Sequence, residues 1–281
     1  MEPMLQPALR RNVASRRIVA VRNGSSFDRT DRLAAEEPME IRAGGPGQEP
    51  SSVAVTMRTP GHDFELAAGF LFTEGLIAGR GDVASVAYCE LPPDEQRFNV
   101  VTVRLTRQFD VGILRRNFYA TSSCGICGKA SMDQVEARCE PLPAGLRVTA
   151  EMLLGLPAAL REAQRIFDQT GGLHAAGLFD SDGALLSLRE DVGRHNAVDK
   201  LAGQAALSGD LPLRDRVLMV SGRVSFELVQ KAAMAGVAVI CAVSAPSSLA
   251  VETADRLGMT VVGFLRGESF NVYCHPERIV G

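Results

Sequence analysis

From about residue 194 onward, short Val/Ile-rich runs alternate with amphipathic stretches, and that rhythm admits few architectures. Arg194 to Leu207 has the spacing of a helix and Val217 to Val220 that of a strand. Helix Ser225 to Ala235, strand Val237 to Val243, helix Ser248 to Leu257 and strand Met259 to Leu265 continue the series. Strands so short and so continuously apolar suit a largely parallel sheet covered by helices on both faces. Just upstream, Ala175 to Phe179 and Ala184 to Leu188 flank the turn Asp180-Ser181-Asp182-Gly183 and predict a hairpin. Thr149 can cap a helix with the stripe Leu153, Leu160, Ala163 and Phe167, stopped by Gly171-Gly172. Pro157 interrupts its first turns, so the regular part is expected to begin there.

The first half is richer in strands. Ile18 to Arg22, Ser52 to Met57, Val83 to Cys89 and Phe98 to Leu105 all suit a sheet, with Pro92-Pro93-Asp94 as a turn. Between them Asp63 can cap a helix that places Leu66, Ala67, Phe70 and Leu71 on one face and ends at Gly75. The expected division is a disordered basic tail over 1–16, a β-rich domain with one helix over 17–120, a mobile cysteine loop over 121–128 and an α/β domain over 129–281. Trp is absent and the net charge is -3, so the core is aliphatic and nothing global calls for nucleic acid. No run reaches the roughly 18 apolar residues of a membrane helix. The apolar run Ile18-Val19-Ala20-Val21 that follows Arg16-Arg17 is too short for an export signal.

Six cysteines are too few and too unevenly spaced for a disulfide scaffold, and free thiols suit a reducing cytoplasm. Cys241 lies in an apolar run and is expected in the core, with Cys89 and Cys274 in the same role. The informative pair is Thr121-Ser122-Ser123-Cys124-Gly125-Ile126-Cys127-Gly128-Lys129. Small polar flanks and two glycines describe a loop that presents sulfur. A helix beginning near Cys127, running to about Arg138, together with Lys129, Arg115 and Arg116, would favour the reactive thiolate. In helix-leading pairs of this kind the first cysteine is the exposed one, which nominates Cys124. Cys127 can then resolve a disulfide or help release a persulfide. A zinc half-site, completed by Cys139 and a distant His, and a thioredoxin-type redox loop stay open beside this reading.

A second site is expected where the parallel strands end. Ser221-Gly222-Arg223-Val224-Ser225 and Ser244-Ala245-Pro246-Ser247-Ser248 each join a strand to a helix, and such loops gather at the carboxyl edge, where helix N-termini favour anions. Capped small-residue turns would have the same composition. Arg266-Gly267-Glu268-Ser269 leaves the last long strand at that edge too. In the polar run from Arg189 to Lys200, Asp191 can cap a helix and put His195 and Asp199 on one face. His195 is then either a general acid–base or simply bonded to a carboxylate. His174 is equally ambiguous, and His62 and His275 look like surface residues.

Taken together these segments resemble the formate dehydrogenase accessory sulfurtransferase family, FdhD/NarQ. The resemblance runs through Thr59-Pro60-Gly61-His62-Asp63, Gly69-Phe70, Glu74-Gly75, Ser122-Ser123-Cys124-Gly125-Ile126-Cys127-Gly128 and Gly171-Gly172-Leu173-His174. It continues through Glu190 to Lys200, Ser221 to Glu227, Ser244 to Ser248 and Gly263 to Gly267, in the family's order from about residue 52 to the end. Only the Arg-rich stretch before residue 17 departs from the pattern.

The resemblance implies a sulfur carrier. Such proteins take persulfide sulfur from a cysteine desulfurase and pass it to the molybdenum (or tungsten) bis(molybdopterin guanine dinucleotide) cofactor that formate dehydrogenase needs. The cofactor is a bound substrate there, with no permanently held cofactor or metal. The persulfide position corresponds to Cys124, with Cys127 assisting. The cofactor segment corresponds to Phe264, Leu265, Arg266, Gly267, Glu268 and Ser269, and Ser221, Gly222 and Arg223 supply the neighbouring anion loop. The implied fold is a three-layer α/β/α core like that of cytidine deaminase, beside the smaller β-rich domain. Deaminase chemistry is not implied: it needs His-x-Glu followed by Pro-Cys-x-x-Cys, whereas here the pair precedes His174 and no Glu follows that histidine. Rival readings are a cofactor-binding chaperone without sulfur transfer and a zinc-stabilised interaction protein. A homodimer is expected only because two-fold dimers are the commonest assembly.

Overall fold

Residues 12–90, 92, 96–108, 139, 141–143 and 145–280 are described by the computed structural model. Cys124, Cys127, the loop expected over 121–128 and the short helix expected before Arg138 lie outside the described residues, as do residues 1–11.

Strands β8 (His174–Phe179), β9 (Leu185–Asp191), β10 (Val217–Val220), β11 (Val239–Ala242), β12 (Thr260–Arg266) and β13 (Ser269–Cys274) form one sheet in the order β13-β12-β11-β10-β8-β9. Only the central three are parallel, with Val217 opposite Val239 and Val239 opposite Thr260. The largely parallel sheet expected from the alternation is therefore a mixed one. Short turns at 180–184 and 267–268 return the chain at once, and a connection that short can join only antiparallel neighbours.

Helices lie on both faces of this sheet, which is why β10 and β11 are apolar at every position. Leu218, Val220, Ile240, Ala242 and Val261 face one buried cluster with α1 (Asp63–Thr73), α4 (Arg194–Ser208), α5 (Phe226–Met234) and α6 (Ser248–Arg256). Val217, Met219, Val239, Cys241 and Val262 face a second cluster with Leu153, Leu156 and Leu160 of α2 (Ala150–Ala163). Thr149, which ends the short strand β7 (Val148–Thr149), caps α2 as expected, its hydroxyl accepting from Met152 N at 3.1 Å. The helix does not wait for Pro157 but runs through it. A proline inside a helix costs about 3 kcal/mol, and three buried leucines at about 1.5–3 kcal/mol each outweigh that. Phe167 belongs to a separate short helix, α3 (Arg165–Thr170), because the backbone breaks at Gln164; Gly171, at φ 64°, ends it.

Upstream, β3 (Glu37–Gly44), β4 (Ser51–Arg58), β5 (Val83–Tyr88) and β6 (Val100–Leu105) form a sheet in the order β4-β3-β6-β5. Its Met39, Ile41, Val101 and Val103 share the first cluster with α1 and the sheet-side helices, so one core runs through both regions. Before them, β1 (Val13–Arg22) and β2 (Ser25–Ala34) make a long two-stranded hairpin turning at Asn23-Gly24, both at positive φ. Its first strand starts inside the stretch expected as a disordered tail, because Val13 to Arg16 pair with Ala34 to Asp31. No described helix is long and apolar enough to cross a membrane.

Candidate functional site at the carboxyl edge of the sheet

Five chain segments converge where β10, β11 and β12 end. Ser221 to Ser225 lead from β10 into α5, Val243 to Ser247 lead from β11 into α6, and Gly267, at φ 58°, turns β12 into β13. His174 opens the antiparallel β8 at this same edge, and its partner Asp191 closes β9 just before α4 begins. Three helix N-termini therefore face one side of the sheet.

The loops brace one another. Val224 N donates to Ala245 O at 3.3 Å, Ser247 N to Val224 O at 2.9 Å and Phe264 N to Ser244 O at 3.2 Å. Ser247 Oγ caps α6 by accepting from Ala250 N. Gly263 must be glycine for a related reason: a Cβ there would sit 2.9 Å from both Pro246 and Tyr273. Phe264 takes a positive φ of 53°.

The nominated site residues play unequal parts in this arrangement. Ser221 Oγ accepts from Ala175 N at 2.9 Å, so its hydroxyl already ties the loop to β8. Leu265 is fully buried in the second cluster and offers only its backbone. Arg223, Arg266, Gly267, Glu268 and Ser269 are exposed. Arg223 has no hydrogen bond or ion pair with the described residues, and the Arg266 guanidinium rests 5.7 Å from the Phe264 ring centroid. Gly222 lies against His174, where a Cβ would come within 3.3 Å of the imidazole Nδ1.

The polar run around α4 divides in a way its spacing does not show. The N-cap of α4 is Gly193, not Asp191. Asp191 is wholly buried and accepts from Gly193 N at 2.8 Å, Asn196 Nδ2 at 3.0 Å and Thr59 N at 3.1 Å, with Lys200 Nζ at 2.7 Å. It is consumed in joining the β4–α1 loop to the edge. Asp63 likewise does not cap α1; it is buried against Arg58 at 2.7 Å and accepts from Tyr88 Oη. His195 and Asp199 do not meet either. Asp199 turns inward to Lys231 at 2.9 Å and Thr73 Oγ1 at 2.7 Å. Burial favours a neutral Lys231 amine, and the Asp199 and Glu74 carboxylates outweigh it, raising its pKa.

His195 points the other way, its Nε2 3.2 Å from Ser225 Oγ and 3.8 Å from Glu227 Oε2. Burial, helped by the Arg194 charge, pushes its pKa down to about 4. Burial and Arg194 lower His174 as well. Arg194 Nε is enclosed without a hydrogen-bond partner among the described residues. Arg194 and Glu227 were not foreseen as site residues. Their one sequence signal was membership of two polar stretches, and only the start of α4 at Gly193 brings them beside the histidines.

Among the described cysteines, Cys241 and Cys274 are poor nucleophiles. Burial pushes both thiols up, Cys274 to about 11. Cys139 is buried and Cys89 only half-buried, just beyond the end of β5, which departs from the core position expected for it. No group of three metal-ligating side chains occurs among the described residues.

A sequence model of the FdhD/NarQ family matches residues 34–280. The chain belongs to the FdhD/NarQ family. It is 53% identical over 272 residues to the sulfur carrier protein FdhD of Streptomyces coelicolor, covering 94% of each chain. To the protein of that name from Mycobacterium tuberculosis it is 50% identical over 276 residues, covering 95% of this chain and 98% of the other. A crystal structure assigned as a formate dehydrogenase accessory protein of Desulfotalea psychrophila superposes with a TM-score of 0.74 at 25% identity, over 96% of this chain and all of that one. Within the FdhD/NarQ match fall the cysteine pair, the polar run of α4 and every loop of the carboxyl edge.

Proposed function

We propose that this chain is a sulfur carrier serving formate dehydrogenase: Cys124 accepts persulfide sulfur from a cysteine desulfurase, and the carboxyl edge binds the molybdenum bis(molybdopterin guanine dinucleotide) substrate that receives it. The reading rests chiefly on relatives named sulfur carrier protein FdhD that share half of the sequence across nearly its whole length, including the region of the pair. In the loading step the Cys124 thiolate attacks the terminal sulfur of the desulfurase persulfide. The S–S bond there breaks, the desulfurase thiolate leaves, and Cys124 holds the new persulfide. Cys127 assists release by attacking the Cys124 sulfur: the persulfide S–S bond breaks, the outer sulfur leaves as sulfide to the substrate, a Cys124–Cys127 disulfide forms, and a dithiol reductant returns the pair to thiols.

The edge suits an anionic nucleotide substrate. Arg223 and Arg266 are exposed cations with no carboxylate on them among the described residues, beside the N-termini of α5 and α6. Arg194 adds a third guanidinium whose Nε has no hydrogen-bond partner among the described residues. Helices on both faces of a mixed sheet support relating the core to the cytidine deaminase fold. The His174-Ala175-Ala176 strand start, which lacks the catalytic Glu, argues against deaminase chemistry. Reduced thiols at Cys89, Cys241 and Cys274 favour the cytoplasm as its place.

Mass spectrometry after incubation with desulfurase and cysteine tests the carrier role. One added sulfur on the Cys124 peptide, absent in Cys124→Ala, is the expected result. Loading that persists in that variant, or no loading of the unaltered chain, overturns it.

A further inference from the structure

The break between α2 and α3 opens a cavity. It holds about 510 Å³ and is lined by Leu160, Gln164, Phe167, Leu173 and His174, with Ser221 at its side. Small-molecule sites are commonly of about 300–1,000 Å³, mostly apolar with a few placed polar groups.

Gln164 supplies such a group. It sits at the break itself, with φ -78° and ψ 74°, and is only 4% exposed. Its backbone is used, the N–H donating to Arg161 O and the carbonyl accepting from Asp168 N. Its side-chain amide has no hydrogen-bond partner among the described residues, yet is not one of their sealed side-chain groups, so it keeps contact with the open cavity. With no partner among the described residues and an open cavity in front of it, the amide is placed to pair with a ligand that enters. The wall around it is firmly held. Buried Glu190 accepts from Ile166 N at 3.0 Å and Phe167 N at 2.8 Å, pinning α3 to β9. The Arg161 guanidinium lies 4.7 Å from the Phe167 ring centroid. Across the cavity His174 offers an imidazole that burial keeps neutral.

We propose that this cavity receives a flat heteroaromatic ring whose edge sets a hydrogen-bond donor beside an acceptor, paired with the Gln164 amide and resting against Phe167. Guanine and pterin rings share that edge, in their common 2-amino-4-oxo-pyrimidine unit, so the proposal rests on the cofactor reading above and names where one of its rings goes. A primary amide presents N–H and C=O side by side and can meet such an edge with two parallel hydrogen bonds. Ser221, in the cavity wall, begins the loop that carries Arg223, where attached phosphates would lie.

The test is calorimetric binding of GDP, and separately of 6-hydroxymethylpterin, to the full chain and to Gln164→Leu and Phe167→Leu. The unaltered chain should bind at least one of the two. Loss of the amide pair should weaken that binding about tenfold, with the unfolding midpoint kept, and Phe167→Leu should weaken it too. Weakening confined to GDP assigns the guanine ring, and weakening confined to the pterin assigns the pterin ring. Binding by the unaltered chain that neither substitution weakens overturns the pocket and leaves the cofactor reading standing. Binding of neither probe overturns both. Should Gln164→Leu fail to fold, the side-chain amide resonances of Gln164 in the unaltered chain decide: they must shift on adding the bound probe, and unmoved resonances overturn the pairing.

Discussion

Gly69 of α1 and Gly203 of α4 meet so closely that neither can carry a methyl group: a Cβ on Gly69 would lie 1.8 Å from Asp199 O, and one on Gly203 1.8 Å from Glu65 O. Both obstacles are backbone, which cannot swing aside. Helix propensity alone would reward Gly→Ala by about 1 kcal/mol, whereas forcing two packed helices apart costs about 3 kcal/mol or more. Gly69→Ala and Gly203→Ala should therefore each lower stability in denaturant unfolding. A raised midpoint in either would show that the helices part freely.

His195 makes an acid-side prediction. Its pKa is pushed down to about 4 by burial and by Arg194, with His174 and Lys231 acting in the same direction and Glu227 opposing. The unfolded histidine titrates near ~6.5, so between these values the unfolded chain binds the proton more readily. The contribution of His195 is thus complete above about pH 6.5 and lost as the pH falls toward about 4. His195→Gln should flatten part of that decline, and the His195 ring resonance should not titrate between about pH 8 and 6. A midpoint near the ordinary histidine value would refute the buried, Arg-flanked environment.

Arg223 and Arg266 should matter for phosphate and not for the fold, since both are exposed and held by no described ion pair. A charged hydrogen bond to phosphate contributes about 1.5–3 kcal/mol, so Arg223→Ala or Arg266→Ala should weaken GDP binding about tenfold or more. The remaining affinity should depend less on salt. Calorimetry across a salt series checks both, and an unchanged salt slope would move the phosphates away from this edge.

Much of the architecture was legible from local pattern. Strands β10, β11 and β12 and helices α4, α5 and α6 fall within a residue or two of where hydrophobic spacing put them, because that spacing records which positions must leave water. Pro157 misled because a local penalty was read without the buried leucines that outweigh it. Asp191 and Asp63 misled because a carboxylate before a helix has the same appearance whether it caps the helix or serves a buried cation.

The nominated edge loops were found from strand–helix alternation alone, since the carboxyl ends of parallel strands must gather on one side. Which of their groups are free was not. Ser221 is spent on β8, Leu265 is core, and Arg194 arrives from α4 with its Nε unpartnered among the described residues.

Order along the chain thus determined the alternation, the membership of the FdhD/NarQ family and the edge at which the strand–helix loops gather. Packing decided the rest: that Asp199 serves Lys231 and not His195, and that Gln164 faces a cavity at a helix break. Periodicity is a property of neighbours a few residues apart, whereas the partner of a buried charge is chosen by whichever distant helix can bring an opposite charge within about 3 Å of it.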